Sequence, residues 1–178
     1  LTLLWLAGFR VAGRRRIPRQ GGVLVVANHV GDLDPCFVGV ACGRAAQYMA
    51  NARHYRHLPF ARLLFAVGAF PVRRGQSDAD ALDTARTILR QGELLALFPE
   101  GTRQFGPTLS PMFDGSAWLA CRSQCPIVPV GLGGSEGALP KGAKLPRPSR
   151  LTIVVGTPIQ PPPPAASTDT LSSPMPNR

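Results

Sequence analysis

A run of five apolar residues, Val23-Leu24-Val25-Val26-Ala27, stands between Gly21-Gly22 and the polar pair Asn28-His29. Most of its side chains are β-branched, and it shows no alternation with polar residues. A segment apolar on both faces must be covered on both faces, so the run reads as a strand buried inside a sheet. His29 then stands where that strand runs out. Five residues on, Asp34 followed by Pro35 is the N-cap and N1 pattern of a helix start, because proline's fixed φ suits the first turn and its missing N–H is not needed there. A chain that turns between His29 and Asp34 can fold the carboxylate back onto the imidazole. Such a pair is a general base: the carboxylate holds the Nδ1–H tautomer and stabilises the imidazolium formed when Nε2 takes a proton from a hydroxyl. The same residues also fit a plain helix start capped by Asp34, with His29 as a polar strand-end residue.

Further strands are expected near residues 46–50, 69–73, 94–98, 127–131 and 151–155. Between them lie helical patterns. Ser77-Asp78-Ala79-Asp80 resembles a capping box, Leu82, Ala85, Ile88 and Leu89 form one apolar stripe, and Gly92 supplies the stop. Residues 112–124 hold another helix containing Trp118, Leu119 and Ala120. This order predicts an α/β fold, a mixed, largely parallel sheet flanked by helices. Sites on such sheets lie beyond the strands' carboxyl ends, where His29 and Glu100 both fall. The organisation expected is an apolar and basic N-terminal segment over residues 1–20, one α/β domain over 21–157, and a tail over 158–178. That tail opens on Pro161-Pro162-Pro163-Pro164 and reads as a polyproline rod followed by disorder.

Three more segments sharpen the functional reading. The strand candidate Leu94-Leu95-Ala96-Leu97-Phe98 runs into Pro99-Glu100-Gly101-Thr102-Arg103; Gly68 to Arg74 precede it, and Pro126-Ile127-Val128-Pro129-Val130-Gly131 follow. With Asn28-His29 to Asp34, these blocks resemble, in order and spacing, the glycerolipid acyltransferase family, best known for the 1-acylglycerol-3-phosphate acyltransferases. The resemblance covers about residues 10–157 and implies a glycerol-3-phosphate acyltransferase-like fold. It implies direct acyl transfer with no metal, no cofactor and no acyl-enzyme, the acyl group coming from acyl-CoA or acyl carrier protein as co-substrate. His29 would deprotonate the free hydroxyl of a lysophospholipid acceptor, Asp34 would orient it, and Glu100 would belong to the same catalytic set. The product from 1-acylglycerol-3-phosphate would be phosphatidic acid. Alternative acceptors are another lysolipid or an alcohol, and a rival from a different class is an inactive basic membrane-binding module.

The residue types suit the chemistry. Arg74 and Arg103 carry guanidinium forks able to grip a phosphate bidentately. Gly101 lets the backbone approach a ligand, and Thr102 can donate a hydrogen bond. Glu100 can accept from an acceptor hydroxyl or pair with an arginine. The chain departs from the family where relatives often carry lysine: Met112, Phe113 and Asp114 precede the helix of Gly115, and Asn51 follows the second strand. Losing these cations bears on the acceptor's phosphate more than on acyl transfer. Gly31 replaces a commonly seen serine, a change read as tolerated.

Twenty Lys and Arg against 10 Asp and Glu give a net charge of +10, so an anionic partner is expected. Aromatics make up only 7% and are not interleaved with the arginines, which argues against nucleic acid. An anionic membrane surface fits better. Residues 1–9 are apolar and lead into Arg10 and Arg14-Arg15-Arg16, but nine residues are too few to cross a bilayer core that needs about 20. Residues 53–67 mix Arg53, His54, Arg56, His57 and Arg62 with Leu58, Phe60, Leu63, Leu64 and Phe65, the pattern of a basic interfacial helix or helix pair. The expected location is the cell membrane, peripheral or monotopic, with the catalytic domain on the cytoplasmic side.

Cys36, Cys42, Cys121 and Cys125 lack zinc spacing and read as reduced, mostly buried thiols. His54-x-x-His57 has no acidic or cysteine partner nearby. Gly133-Gly134-Ser135-Glu136-Gly137 matches a nucleophile elbow, yet the elbow needs a helix next and then an acid and a histidine. A loop is expected after it, and no histidine follows His57.

Overall fold

The structure, a computed structural model, describes residues 8–164 except 57, 67, 73–78, 105–108, 110, 141–142, 144 and 146. Seven strands form one sheet: β1 (Gly8–Ala12), β2 (Val23–Ala27), β3 (Ala46–Asn51), β4 (Ala69–Val72), β5 (Leu94–Leu97), β6 (Ile127–Gly133) and β7 (Arg150–Val155). The helices are α1 (Asp34–Cys42), α2 (Leu58–Ala66), α3 (Ala79–Arg90), α4 (Gly115–Ser123) and the single turn α5 (Ser135–Ala138), with 3₁₀ turns at Arg14–Arg16 and Ala52–Arg56. Strand order is β1-β7-β6-β2-β5-β3-β4, parallel throughout except for the antiparallel pair β6–β7. The sheet is thus mixed and largely parallel, with helices on its faces.

β2 is central, and its uniform apolarity has a geometric cause. Alternate side chains leave a strand on opposite faces. Val23, Val25 and Ala27 join Phe37, Val38 and Ala41 of α1 on one face, while Leu24 meets Ala85, Ile88 and Leu89 of α3 and Leu119 and Ala120 of α4 on the other. Each face is covered, and each leucine or valine so buried contributes about 1.5–3 kcal/mol of transfer free energy.

The boundaries of the domain differ from the sequence reading at both ends. Residues 8–12, read as part of an apolar and basic membrane-contact segment, form β1, which pairs in parallel with β7 from Gly8 opposite Arg150 to Ala12 opposite Val154. Phe9 packs on the core, its ring centroid 6.2 Å from that of Phe37. The signal was hidden because Arg10 interrupts the apolar run. At the other end the sheet does not stop at residue 157. Ile159 exchanges two main-chain hydrogen bonds with Ile127, at 2.9 and 2.8 Å, and Gln124 Nε2 donates to the Pro162 carbonyl at 3.2 Å.

The described residues of the 53–67 segment form a 3₁₀ turn and the helix α2. Within α2, Ala61 is buried and Leu64 packs on the core, whereas Leu58 and Phe65 are exposed. The capping box over residues 77–80 begins outside the described residues, but α3 buries Ala85, Ile88 and Leu89 as the stripe predicts, with Ala81 buried in place of the half-buried Leu82, and Gly92 closes it with its N–H on the Leu89 carbonyl. Among the cysteines, Cys42 and Cys125 are buried while Cys36 and Cys121 are exposed. The expectation of mostly buried thiols therefore holds for two of the four, because α1 and α4 turn Cys36 and Cys121 away from the sheet.

Candidate active site

Because β6, β2 and β5 run parallel as neighbours, the segments leaving their carboxyl ends meet along one edge. These are the turn after β6, the Asn28–Asp34 loop and the Phe98–Gln104 loop. Asn28 extends the ladder past the end of β2: its Nδ2 donates to the Leu132 carbonyl at 2.9 Å, and its Oδ1 accepts the Leu132 N–H at 2.7 Å. The residue before His29 is thereby tied to the neighbouring strand.

His29 itself is held on every side. Its Nδ1 lies 2.8 Å from Asp34 Oδ2. An ionised carboxylate only accepts, so Nδ1 carries the proton and Nε2 is the nitrogen free to take one. The His29 N–H donates to Glu100 Oε1 at 3.2 Å, and its carbonyl accepts the Gln104 N–H at 2.8 Å. The imidazole stacks on Phe98, centroids 4.4 Å apart and planes inclined by 28°.

Asp34 does not cap its helix. It is the first residue of α1, Leu33 takes the N-cap position, and no side chain caps the end. The fully buried carboxylate turns back into the preceding loop instead, where Oδ2 also accepts the N–H groups of Val30 (2.7 Å) and Gly31 (2.8 Å). The carboxylate thus serves the loop and the imidazole rather than the helix end, the contact that a general-base pair requires.

Glu100 is buried and does not pair with Arg103, which is engaged by Asp32; its Oε1 holds the main chain of His29. Gly101 adopts φ +68°, and a Cβ there would come within 2.9 Å of the Phe113 ring. Thr102 is exposed, as is Arg103, whose guanidinium forms an ion pair with Asp32 at 2.6 Å. Arg74 lies outside the described residues. Sequence reasoning placed Asn28, Phe98 and Asp32 within or beside the motifs without giving them work, and it missed Gln104, whose contribution is a main-chain N–H that no residue type signals. Among the described residues no cluster of three or more His, Cys, Asp or Glu is placed to hold a metal.

Comparisons with known proteins show the family. A family model described as Acyltransferase covers residues 8–133. The chain belongs to the acyltransferase family. Its relatives include the 1-acyl-sn-glycerol-3-phosphate acyltransferase of Bacillus subtilis, 25% identical over 85% of this chain and 74% of that protein. The enzyme of the same description from Borreliella burgdorferi is 32% identical over 72% of this chain and 53% of its own length. An uncharacterized protein of Mycobacterium tuberculosis is 33% identical over 79% of this chain and 42% of its own length. In fold, the acyltransferase domain is similar to the crystal structure of the 1-acyl-sn-glycerophosphate acyltransferase PlsC from Thermotoga maritima. The TM-score is 0.72 at 24% identity, covering 89% of this chain and 64% of that one. The chain thus spans from under half to about three quarters of the length of these relatives.

The Gly133 to Gly137 motif lacks the helix that a nucleophile elbow needs: the single turn α5 begins at its serine and ends at Ala138, and Leu139 and Pro140 leave the helix as expected. Ser135 is also fully buried, so the motif presents no nucleophile.

Proposed function

We propose that this acyltransferase moves a fatty acyl group from the thioester of acyl-CoA or acyl carrier protein to the free hydroxyl of 1-acylglycerol-3-phosphate, giving phosphatidic acid for phospholipid synthesis. The observation that carries the reading is the His29–Asp34 contact at 2.8 Å, set at the carboxyl edge of the sheet and belonging to the first block. Nε2 of His29 takes the hydroxyl proton. The alkoxide oxygen bonds to the thioester carbonyl carbon, the carbon–sulfur bond breaks, and the thiolate leaves with the proton carried by the imidazolium. Asp34 supports the positive imidazole while it lasts. Arg103, and Arg74 with it, would grip the acceptor's phosphate. Thr102 and Gly101 would line its approach.

An anionic membrane surface on the cytoplasmic side is the proposed setting. The net charge of +10 favours it, and so do two exposed apolar groups, Leu58 with Phe65 on α2 and Leu109, Met112 and Phe113 before α4. No helix among the described residues is long and apolar enough to cross a membrane.

The deciding experiment offers the purified protein lysophosphatidate or monoacylglycerol, each with acyl-CoA or acyl carrier protein thioester, and follows thiol release and lipid product. Phosphatidate with thiol release supports the reading. Release with monoacylglycerol alone assigns an alcohol acceptor, and release with neither leaves a basic membrane-binding module.

A further inference from the structure

Asp34 is served unequally. Its Oδ2 receives the imidazole and two main-chain N–H groups, while its Oδ1, equally buried, has no partner among the described residues. A carboxylate oxygen taken out of water without a donor is costly, and buried polar groups of native proteins are nearly always paired. A second buried polar atom without a partner is the hydroxyl of Ser135, a residue of 0% exposure.

The two residues adjoin the same glycine. Ser135 opens α5 at the carboxyl end of β6, the strand beside β2, so it emerges against the loop that carries His29. Gly31 marks the contact: a Cβ built on it would sit 2.8 Å from the Ser135 carbonyl oxygen and 3.2 Å from Asp34 Oδ1. The Ser135 main chain and the unserved carboxylate oxygen thus flank one point, left open by the absent side chain of residue 31. One orphan can donate and the other can only accept, and a serine hydroxyl reorients by rotation about χ1.

We propose that Ser135 Oγ donates a hydrogen bond to Asp34 Oδ1, directly or across one buried water, and is a positioning residue that sets the basicity of His29. A donor on Oδ1 draws carboxylate charge away from Oδ2. Without it, more negative charge faces Nδ1–H, the imidazolium is favoured, and the His29 pKa rises. Among the described residues, the other acidic and basic groups on the two loops that meet at His29 are Glu100, at its main-chain N–H, and the Asp32–Arg103 pair; Phe98 is neutral. None of them changes in a Ser135 variant. The bond is argued from two buried orphan groups whose residues adjoin Gly31, whereas its effect on turnover rests on the proposed function, with His29 as the base.

The test is an NMR titration of the His29 ring proton, assigned by its loss in H29A, in the parent protein, Ser135→Ala and Ser135→Thr. Ser135→Ala is expected to raise the midpoint by about half a unit or more and to lower the melting temperature. It should shift the acidic limb of kcat/KM upward by the same amount, at unchanged KM for the acyl acceptor. Ser135→Thr should restore all three. If the threonine methyl prevents folding, Ser135→Cys, a weaker donor of similar size, should titrate between parent and alanine. An unchanged midpoint in folded Ser135→Ala overturns the proposal, as does a raised melting temperature, the result of deleting a hydroxyl that has no partner. A shifted midpoint with an unmoved acidic limb supports the bond and removes the general-base reading.

Discussion

Asp34 Oδ2 stands 2.8 Å from His29 Nδ1 while it also receives the main-chain N–H groups of Val30 and Gly31. The imidazole is therefore fixed by an acceptor that is itself fixed, a preorganised geometry that general-base catalysis exploits. His29→Ala should keep the fold, because the ring is partly exposed and its main chain stays tied to Glu100 and Gln104. Turnover should fall about 10²–10⁴-fold. Asp34→Asn keeps an acceptor for the loop amides but loses the charge that supports the imidazolium, so a rate loss of similar order is expected. Thiol release measured beside thermal melting checks both, and near-normal release by His29→Ala would remove the mechanism.

Gly31 tests how closely α5 packs on the loop. Its absent Cβ would press on the Ser135 carbonyl at 2.8 Å, closer than carbon and oxygen pack. Gly31→Ser should lose about 1–3 kcal/mol, the usual cost of forcing atoms into a filled site. Chemical denaturation reads this directly. A variant as stable as the parent would mean that α5 withdraws freely from the loop.

Much of this site was legible before any coordinates. The apolar β2 run, the turn to Asp34-Pro35 and the glutamate after β5 all lie in short local patterns, and local patterns reflect strand and helix geometry directly. The partners of those residues were not legible, because they come from strand order. Nothing local says that Asn28 meets Leu132 or that Gln104 reaches His29; those contacts follow from β2 lying between β6 and β5. The reading of Asp34 as a cap failed for a related reason. Helix-start signals describe what a carboxylate can do, and the competing donors stood on the preceding loop. β1 was missed because Arg10 breaks its apolar run and its pairing strand lies some 140 residues away.

Buried thiols give the protein an alkaline limit. Desolvation pushes Cys42 up to about 11, against smaller opposing effects of Arg44 and Arg14, and raises Cys125 to about 11 against main-chain hydrogen bonds. In the unfolded chain each ionises near 9.0. The folded state holds these protons longer, so the stability they confer is complete below pH 9 and is lost as pH rises towards 11. Denaturant midpoints should fall across that window, and less so in Cys42→Ala. A disulfide reagent at neutral pH should reach exposed Cys121 and Cys36 in the native protein, and the other two only on unfolding.

The membrane proposal can be placed on particular side chains. Leu58 and Phe65 are 64% and 60% exposed, whereas Leu64 packs on the core, so the former pair is the one to change. Binding to vesicles should rise with anionic lipid and weaken as salt shortens the screening length from ~10 Å at 0.1 M to ~3 Å at 1 M. A salt-resistant remainder should come from apolar insertion. Leu58→Ser with Phe65→Ser should remove part of that remainder without unfolding the protein, and adding Phe113→Ser should remove more. Unchanged salt-resistant binding in the folded triple variant would place the apolar contact elsewhere on the chain.

Arg103 carries the test of the acceptor's identity. Its guanidinium is engaged by Asp32 at 2.6 Å, both groups being well exposed, and an exposed pair of this kind is worth only about 0.2–1 kcal/mol. A phosphate dianion can displace the carboxylate, and Asp32 then acts as a weak competitor for the same guanidinium. Arg103→Ala should raise KM for lysophosphatidate about 10-fold or more, as expected for losing a charged hydrogen bond of about 1.5–3 kcal/mol, and should leave monoacylglycerol unaffected. Asp32→Asn should act in the opposite direction, lowering KM for lysophosphatidate a few-fold with no change for the phosphate-free acceptor. A rise in KM for both acceptors in Asp32→Asn would show that the pair serves to hold the Phe98–Gln104 loop against His29. Equal losses with both acceptors in Arg103→Ala would move the phosphate contact away from this arginine.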